Sequence, residues 1–202
     1  MPQERRRLLV STAAEEFASA GFENASLNRI IRACGLSKSS FYHVIDSKQE
    51  LFDVVVRDLG AGVVAAIDIP APEAFAGDRF WPTVGRVLDD FTLAAQRDQS
   101  FAALGRMFYL SDAPDVATSA VTKSLASIQD WLRDVLLVGR RSGAVRDDLP
   151  ANLQYRMAFA ILRALDQWGV DNMDALQPDE LEAIMQAQFG TIRRLLAPDT
   201  TP

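Results

Sequence analysis

Apolar residues return every three or four positions through nearly every segment of this 202-residue chain, strand-like alternation is absent, and Pro and Gly punctuate the periodic runs. That pattern predicts an all-α protein. Helices are expected near residues 4–20, from Ser47 towards Ile67, and near 79–97, 100–110, 114–141, 150–170 and 178–196, several of them opened by a proline. Between residues 68 and 78 the pattern breaks around Pro70, Pro72 and Gly77, which places a boundary there.

Residues 27–48, LNRIIRACGLSKSSFYHVIDSK, carry the most specific signal. Leu27, Ile30, Ile31 and Cys34 fall on one helical stripe and leave Asn28, Arg29 and Arg32 outside. Gly35 suits the left-handed backbone that ends a helix, and Ser37 suits the N-cap of the next. That next helix, from Lys38 to about Val44, has Phe41 as its single large anchor and otherwise shows Lys38, Ser39, Ser40, Tyr42 and His43. A short helix with donors and a flat aromatic outside is built for the major groove. Ser47 and Glu50 spell an S-x-x-E capping box that opens the following helix.

Charge supports the same division. Residues 1–48 hold seven Lys/Arg against five Asp/Glu, while the remainder holds fourteen against twenty-two, for a net −6 overall. A weakly basic tip on an acidic body fits DNA binding at one end. The single cysteine, Cys34, allows no intrachain disulfide, and it sits on an apolar stripe as a small core residue. His43 is the only histidine, which argues against a histidine-built metal site or a Ser-His-Asp triad. No targeting or membrane-spanning run is visible, and the cytoplasm is the expected compartment.

Taken together, Phe17, Gly21-Phe22, Ser26-Leu27, Ile30-Ile31, the run from Gly35 to His43, Ser47-Lys48 and Leu51 resemble the N-terminal domain of the tetracycline-repressor (TetR) family of bacterial regulators. One departure is that Val44-Ile45 stands where that family usually has a phenylalanine. The resemblance implies a helix-turn-helix DNA-binding domain over 1–48, a connecting helix over 49–67, and a helical ligand-binding and dimerisation domain over 68–202. It implies operator DNA, a small molecule and a second copy of the chain as partners. No cofactor, metal, membrane or catalytic residue is expected. By resemblance, Ser26, Ser37, Lys38, Ser39, Ser40, Tyr42, His43 and Lys48 meet DNA. Lys48 is the most pointed of these, because a lysine in the first turn of a helix opposes the dipole unless a phosphate lies nearby.

The family analogy also implies a cavity, for which Phe91, Phe101, Leu104, Met107, Phe108, Trp131 and Phe159 are expected walls, with Arg106, Gln129 and Asp130 as polar contacts. The last two helices carry more apolar surface than one core needs. Ile161, Leu165 and Trp168 on one, and Ile184, Met185, Phe189 and Ile192 on the other, are the expected dimer interface. The rival readings are a helical enzyme that uses the inner cavity, and a regulator without a small-molecule ligand.

Overall fold

A computed structural model describes residues 2–113, 119–172 and 175–199. Among these residues every regular element is helical: α1 (Gln3–Asn24), α2 (Leu27–Ala33), α3 (Lys38–Tyr42), α4 (Lys48–Ala66), α5 (Phe80–Arg97), α6 (Gln99–Phe108), α7 (Ala120–Arg141), α8 (Ala151–Asn172) and α9 (Pro178–Leu196). Two short 3-10 turns, Pro72–Phe75 and Gly77–Arg79, occupy the proline-rich break. Pro114, expected to open the helix near 114–141, lies outside the described residues. No helix among the described residues is long and apolar enough to cross a membrane.

The chain forms two compact units, one of residues 1–67 with 93–125, the other of 68–92 with 126–202. In the first, α1 packs on α2, α4 and α6, and α4 also meets α6. Its core holds Leu9, Val10, Ala13, Ala14 and Phe17 of α1, Ile30 and Ile31 of α2, Phe41 of α3, and Leu51, Phe52, Val55 and Val56 of α4. Leu104 and Met107 of α6 join the same cluster. The rings of Phe17, Phe22 and Phe52 meet one another, edge to face at Phe52 with centroids 5.1 and 5.4 Å away. Such pairs add to the burial energy itself.

In the second unit, Phe75, Phe80, Leu132, Val135, Leu136, Val145, Ala158, Ile192 and Leu196 form the core. The turn between α7 and α8 closes on the Arg140 guanidinium, which donates to the carbonyls of Arg146, Asp147 and Leu149 and to Gln154 Oε1. Gln154 is buried, and its amide is satisfied by Arg140 and by the Arg146 carbonyl. A buried amide left without those partners would be costly.

Local capping follows the sequence closely. Ser26, Ser37 and Ser47 are the N-caps of α2, α3 and α4, and each hydroxyl accepts the amide three residues on, from Arg29, Ser40 and Glu50. The capping box expected at Ser47 is only half made. The Glu50 carboxylate accepts the amide of Asp46 at 2.6 Å, one residue before the cap, because the chain enters α4 from a turn that aims Asp46 N–H at it. α1 also runs past its expected end, although the backbone leaves helical geometry at Gly21, with φ 78° and ψ 172°.

Candidate nucleic-acid interface

Two devices hold the short α3 in place. Phe41 is completely buried, and Ile45 just after the helix is buried at 4%. Where the TetR resemblance expects a phenylalanine, Ile45 therefore takes the core position and Val44 stays on the surface, 38% exposed. The Ser37 hydroxyl caps the helix and donates to Ser40 Oγ at 2.8 Å. α2 enters its turn through Gly35, whose φ is +62°.

With its inner side fixed, α3 presents Lys38, Ser39, Ser40, Tyr42 and His43 to solvent. The Tyr42 ring stands edge-on to Phe41 at 5.2 Å and is still 48% exposed, so it is braced from behind and open in front. An open groove runs beside this surface, bordered by Pro2 and Arg5 at the start of α1 and by Leu36, Ser39, Tyr42, His43 and Val44. Arg5 is thus brought to the same surface as α3, while Arg6 is held back by a two-pronged ion pair with Asp58 of α4. Ser26 and Lys48 lie away from that groove, at the junction of α1, α2 and α4.

At that junction the structure gives Lys48 partners that the sequence did not suggest. Its ammonium donates to the carbonyls of Glu23 at 2.7 Å and Ala25 at 3.2 Å, and lies 5.1 Å from the centre of the Phe22 ring. The lysine opposing the α4 dipole is thereby offset by carbonyls at the end of α1, and one of its three N–H groups remains for a phosphate. Arg29 is exposed, as expected, and from the surface it pairs with Glu16 and donates to the Asn24 carbonyl at 3.2 Å. The Glu16 carboxylate accepts the Ser26 amide as well, at 2.7 Å. The Arg29 hydrogen bonds hold its carboxyl below the usual range, with the Ser26 amide helping and burial opposing.

Asp112, just after α6, is the site residue that sequence reasoning missed. Its two oxygens accept the amides of Phe22 at 3.0 Å and Glu23 at 2.8 Å. The Glu23 amide is the largest reason its carboxyl titrates below the usual carboxylate range, and the Phe22 amide and Lys48 charge reinforce it against desolvation. Nothing local marks this residue, since its partners lie 89 and 90 positions earlier.

The segment with residues 9–55 matches the family model described as "Bacterial regulatory proteins, tetR family". Over residues 9–55 the chain is thus similar to the tetR family of bacterial regulatory proteins. An uncharacterized HTH-type transcriptional regulator of Bacillus subtilis, YdgC, is 33% identical over 60 residues, which cover 30% of this chain and 31% of that protein. Solved structures extend the likeness over the whole fold. NalD, the secondary repressor of the MexAB-OprM multidrug efflux pump in Pseudomonas aeruginosa, superposes with a TM-score of 0.71 at 16% identity, covering 98% of both chains. FadR of Bacillus subtilis, solved in complex with stearoyl-CoA, superposes with a TM-score of 0.64 at 14% identity over 92% of this chain and 96% of its own. The chain thus combines a tetR-like helix-turn-helix segment with an all-helical body.

The residues expected to wall a ligand cavity are not gathered in one unit. In the first unit, Leu104 and Met107 are buried against α1 and α4, Phe108 packs on the same cluster, and Phe101 is buried with Ile67 and Ala94. In the second, Trp131 meets Phe75 edge to face and donates its indole N–H to the Pro70 carbonyl, Phe159 packs on the core, and Phe91 is 43% exposed. Of the expected polar contacts, Asp130 accepts from Arg133 at 2.8 Å.

The expected dimer residues also divide. Trp168 is 44% exposed, Ile161, Leu165 and Ile184 are half-buried, and Ile192 is buried at 7% in the core of its own unit. Met185 meets the Thr92 hydroxyl of α5, and Phe189 packs on Trp81. Ile192 of α9 thus closes the second core, while Met185 and Phe189 make contacts within the chain and stay half-buried.

Proposed function

We propose that this regulator is a cytoplasmic repressor that reads a palindromic operator as a homodimer and releases it when a small, apolar molecule binds the helical body. The observation that carries the reading is α3 itself: a five-residue helix too short to stand alone, anchored by a fully buried Phe41 and showing only polar groups and one braced tyrosine. In this reading Lys38, Ser39, Ser40, Tyr42 and His43 enter the major groove, with Tyr42 reaching a phosphate or a thymine methyl, and Ser26, Ser37 and Lys48 steady the backbone. Ser37 and Ser40 are bonded to each other, so Ser39 and the Tyr42 edge are the freer readers.

The release step rests on relatives. NalD is named a repressor of an efflux pump, and FadR was solved with an acyl-CoA, which favours an apolar effector here as well. An effector that binds the non-reading conformation better must lower DNA affinity by the same coupling with which DNA lowers its own, typically about 1–3 kcal/mol. Footprinting on the DNA upstream of this protein's own coding region tests the operator, and calorimetric titration of acyl and aromatic compounds with and without that DNA tests release. Protection of a palindrome is expected, as is weaker ligand binding when DNA is present. Equal ligand affinity in both titrations would leave a regulator without ligand control, and turnover of a bound compound would favour an enzyme.

A further inference from the structure

The backbone break at Gly21, near the end of α1, turns the chain and carries a constraint that the reading helix does not explain. Gly21 adopts φ 78°, and a Cβ at that position would lie 2.7 Å from Asp112 Oδ2 and 3.2 Å from Oδ1. The glycine therefore serves twice: it permits the left-handed turn, and it leaves room for a carboxylate to seat against the backbone. Asp112 fills that room and takes the next two amides, one on each oxygen. An ionised carboxylate is the acceptor suited to two parallel N–H groups, and such charge-assisted bonds are the strong ones.

The same turn is gripped from its other side by Lys48. The Glu23 peptide N–H goes to Asp112, while the Glu23 carbonyl accepts from Lys48 Nζ at 2.7 Å. Lys48 is the first residue of α4 and follows α3 by a five-residue turn. Asp112, the turn, Lys48 and the α3–α4 junction thus form one continuous chain of hydrogen bonds. A second carboxylate makes a parallel link, since Asp53 of α4 accepts the Ala120 amide at the start of α7 at 2.8 Å and accepts from Gln49 at 3.3 Å.

We propose that Asp112 is a positioning residue for DNA reading: by holding the Phe22 and Glu23 amides it sets the direction in which the chain enters α2 and, through Lys48, the seating of α3 on α4. The proposal deepens the DNA reading above and rests on it. Asp112 touches no base or phosphate in this scheme. Its loss leaves the groove-facing side chains in place but lets their helix tilt, so base recognition suffers more than phosphate binding, which tolerates small shifts.

The test compares the full-length parent with Asp112→Asn, using a duplex selected by the parent from a random pool and an unrelated duplex of equal length. The amide side chain keeps the size of the carboxylate but is neutral and offers one acceptor oxygen in place of two. Expected are a folded variant by circular dichroism, upfield shifts of the Phe22 and Glu23 amide protons, operator affinity lowered about five- to tenfold, and affinity for the unrelated duplex within roughly twofold of the parent. The parent alone supplies a second measurement: hydrogen exchange at Phe22 and Glu23 should slow when the selected duplex binds, by more than at core amides of α1.

Shifted amides with unchanged operator affinity would overturn the proposal. So would parallel losses on both duplexes in step with the folded fraction, which mark a merely structural role. If Asp112→Asn does not fold, exchange at the two amides that ignores bound DNA overturns it equally. A parent that selects no duplex at all would sink the DNA reading, and the proposal with it.

Discussion

The Phe189 ring stands edge-on to the Trp81 ring, with centroids 6.2 Å apart, inside a single chain. Trp81 is itself fixed by an indole N–H bond to the Ala144 carbonyl at 3.1 Å and carries the Arg193 guanidinium over its face at 5.9 Å. The Phe189 ring therefore packs on Trp81 within the subunit and stays half-buried there.

That relationship decides how a dimer should be tested. Trp168→Glu and Ile161→Glu place a charge on α8 where one chain leaves Trp168 44% exposed and Ile161 half-buried. If these residues are covered by a second copy, the unpaired charge costs several kcal/mol, roughly enough to give monomers at micromolar concentration. Sedimentation should show monomers with intact helicity and lost operator affinity. Phe189→Glu should instead lower the melting temperature of the subunit. Dimers that survive both α8 substitutions would move the interface elsewhere.

Lys48→Ala removes two hydrogen bonds to carbonyls together with any bond to a phosphate. The melting temperature should fall, and the slope of log affinity against log salt should shrink by about one for each phosphate that the lysine no longer neutralises. A lowered melting temperature with an unchanged salt slope would confine Lys48 to its structural role at the end of α1.

Tyr42 and Phe41 are adjacent and should behave in opposite ways. Tyr42→Ala, at an exposed ring, should change stability by less than about 1 kcal/mol yet weaken operator binding by about 1–3 kcal/mol, read by titration of labelled duplex. Phe41→Ala opens a cavity under α3 and should cost about 3–5 kcal/mol in chemical denaturation. Operator affinity that survives Tyr42→Ala would remove the tyrosine from the interface.

Glu16 offers a pH signature. Its carboxyl titrates below the ordinary glutamate value because Arg29 and the Ser26 amide favour the ionised form. A depressed folded-state pKa gives stability that is complete above the unfolded value, about 4.3, and is lost as pH falls through the folded one. The melting temperature of Glu16→Gln should therefore lie below that of the parent at neutral pH, and the gap should close as pH drops beneath about 4.3. A gap that persists undiminished in acid would show that packing, and not the charge, is what Glu16 contributes.

The all-helical class, the serine caps at Ser37 and Ser47, the turn at Gly35 and the polar outer face of α3 were all legible in the order of residues. Each of these is decided by neighbours within a few positions: a cap meets the amide three residues on, and a helical stripe repeats every three or four. What each apolar stripe faces was settled only by folding. Leu104 and Met107 follow the same helical spacing whatever they meet, and the fold sets them against α1 and α4; Ile192 follows the same spacing and is set in the core of its own unit. Folding also set the long-range carboxylate links. Asp112 to Phe22 and Asp53 to Ala120 span 90 and 67 positions, and a lone aspartate in sequence carries no mark of the amide that the tertiary structure will bring to it.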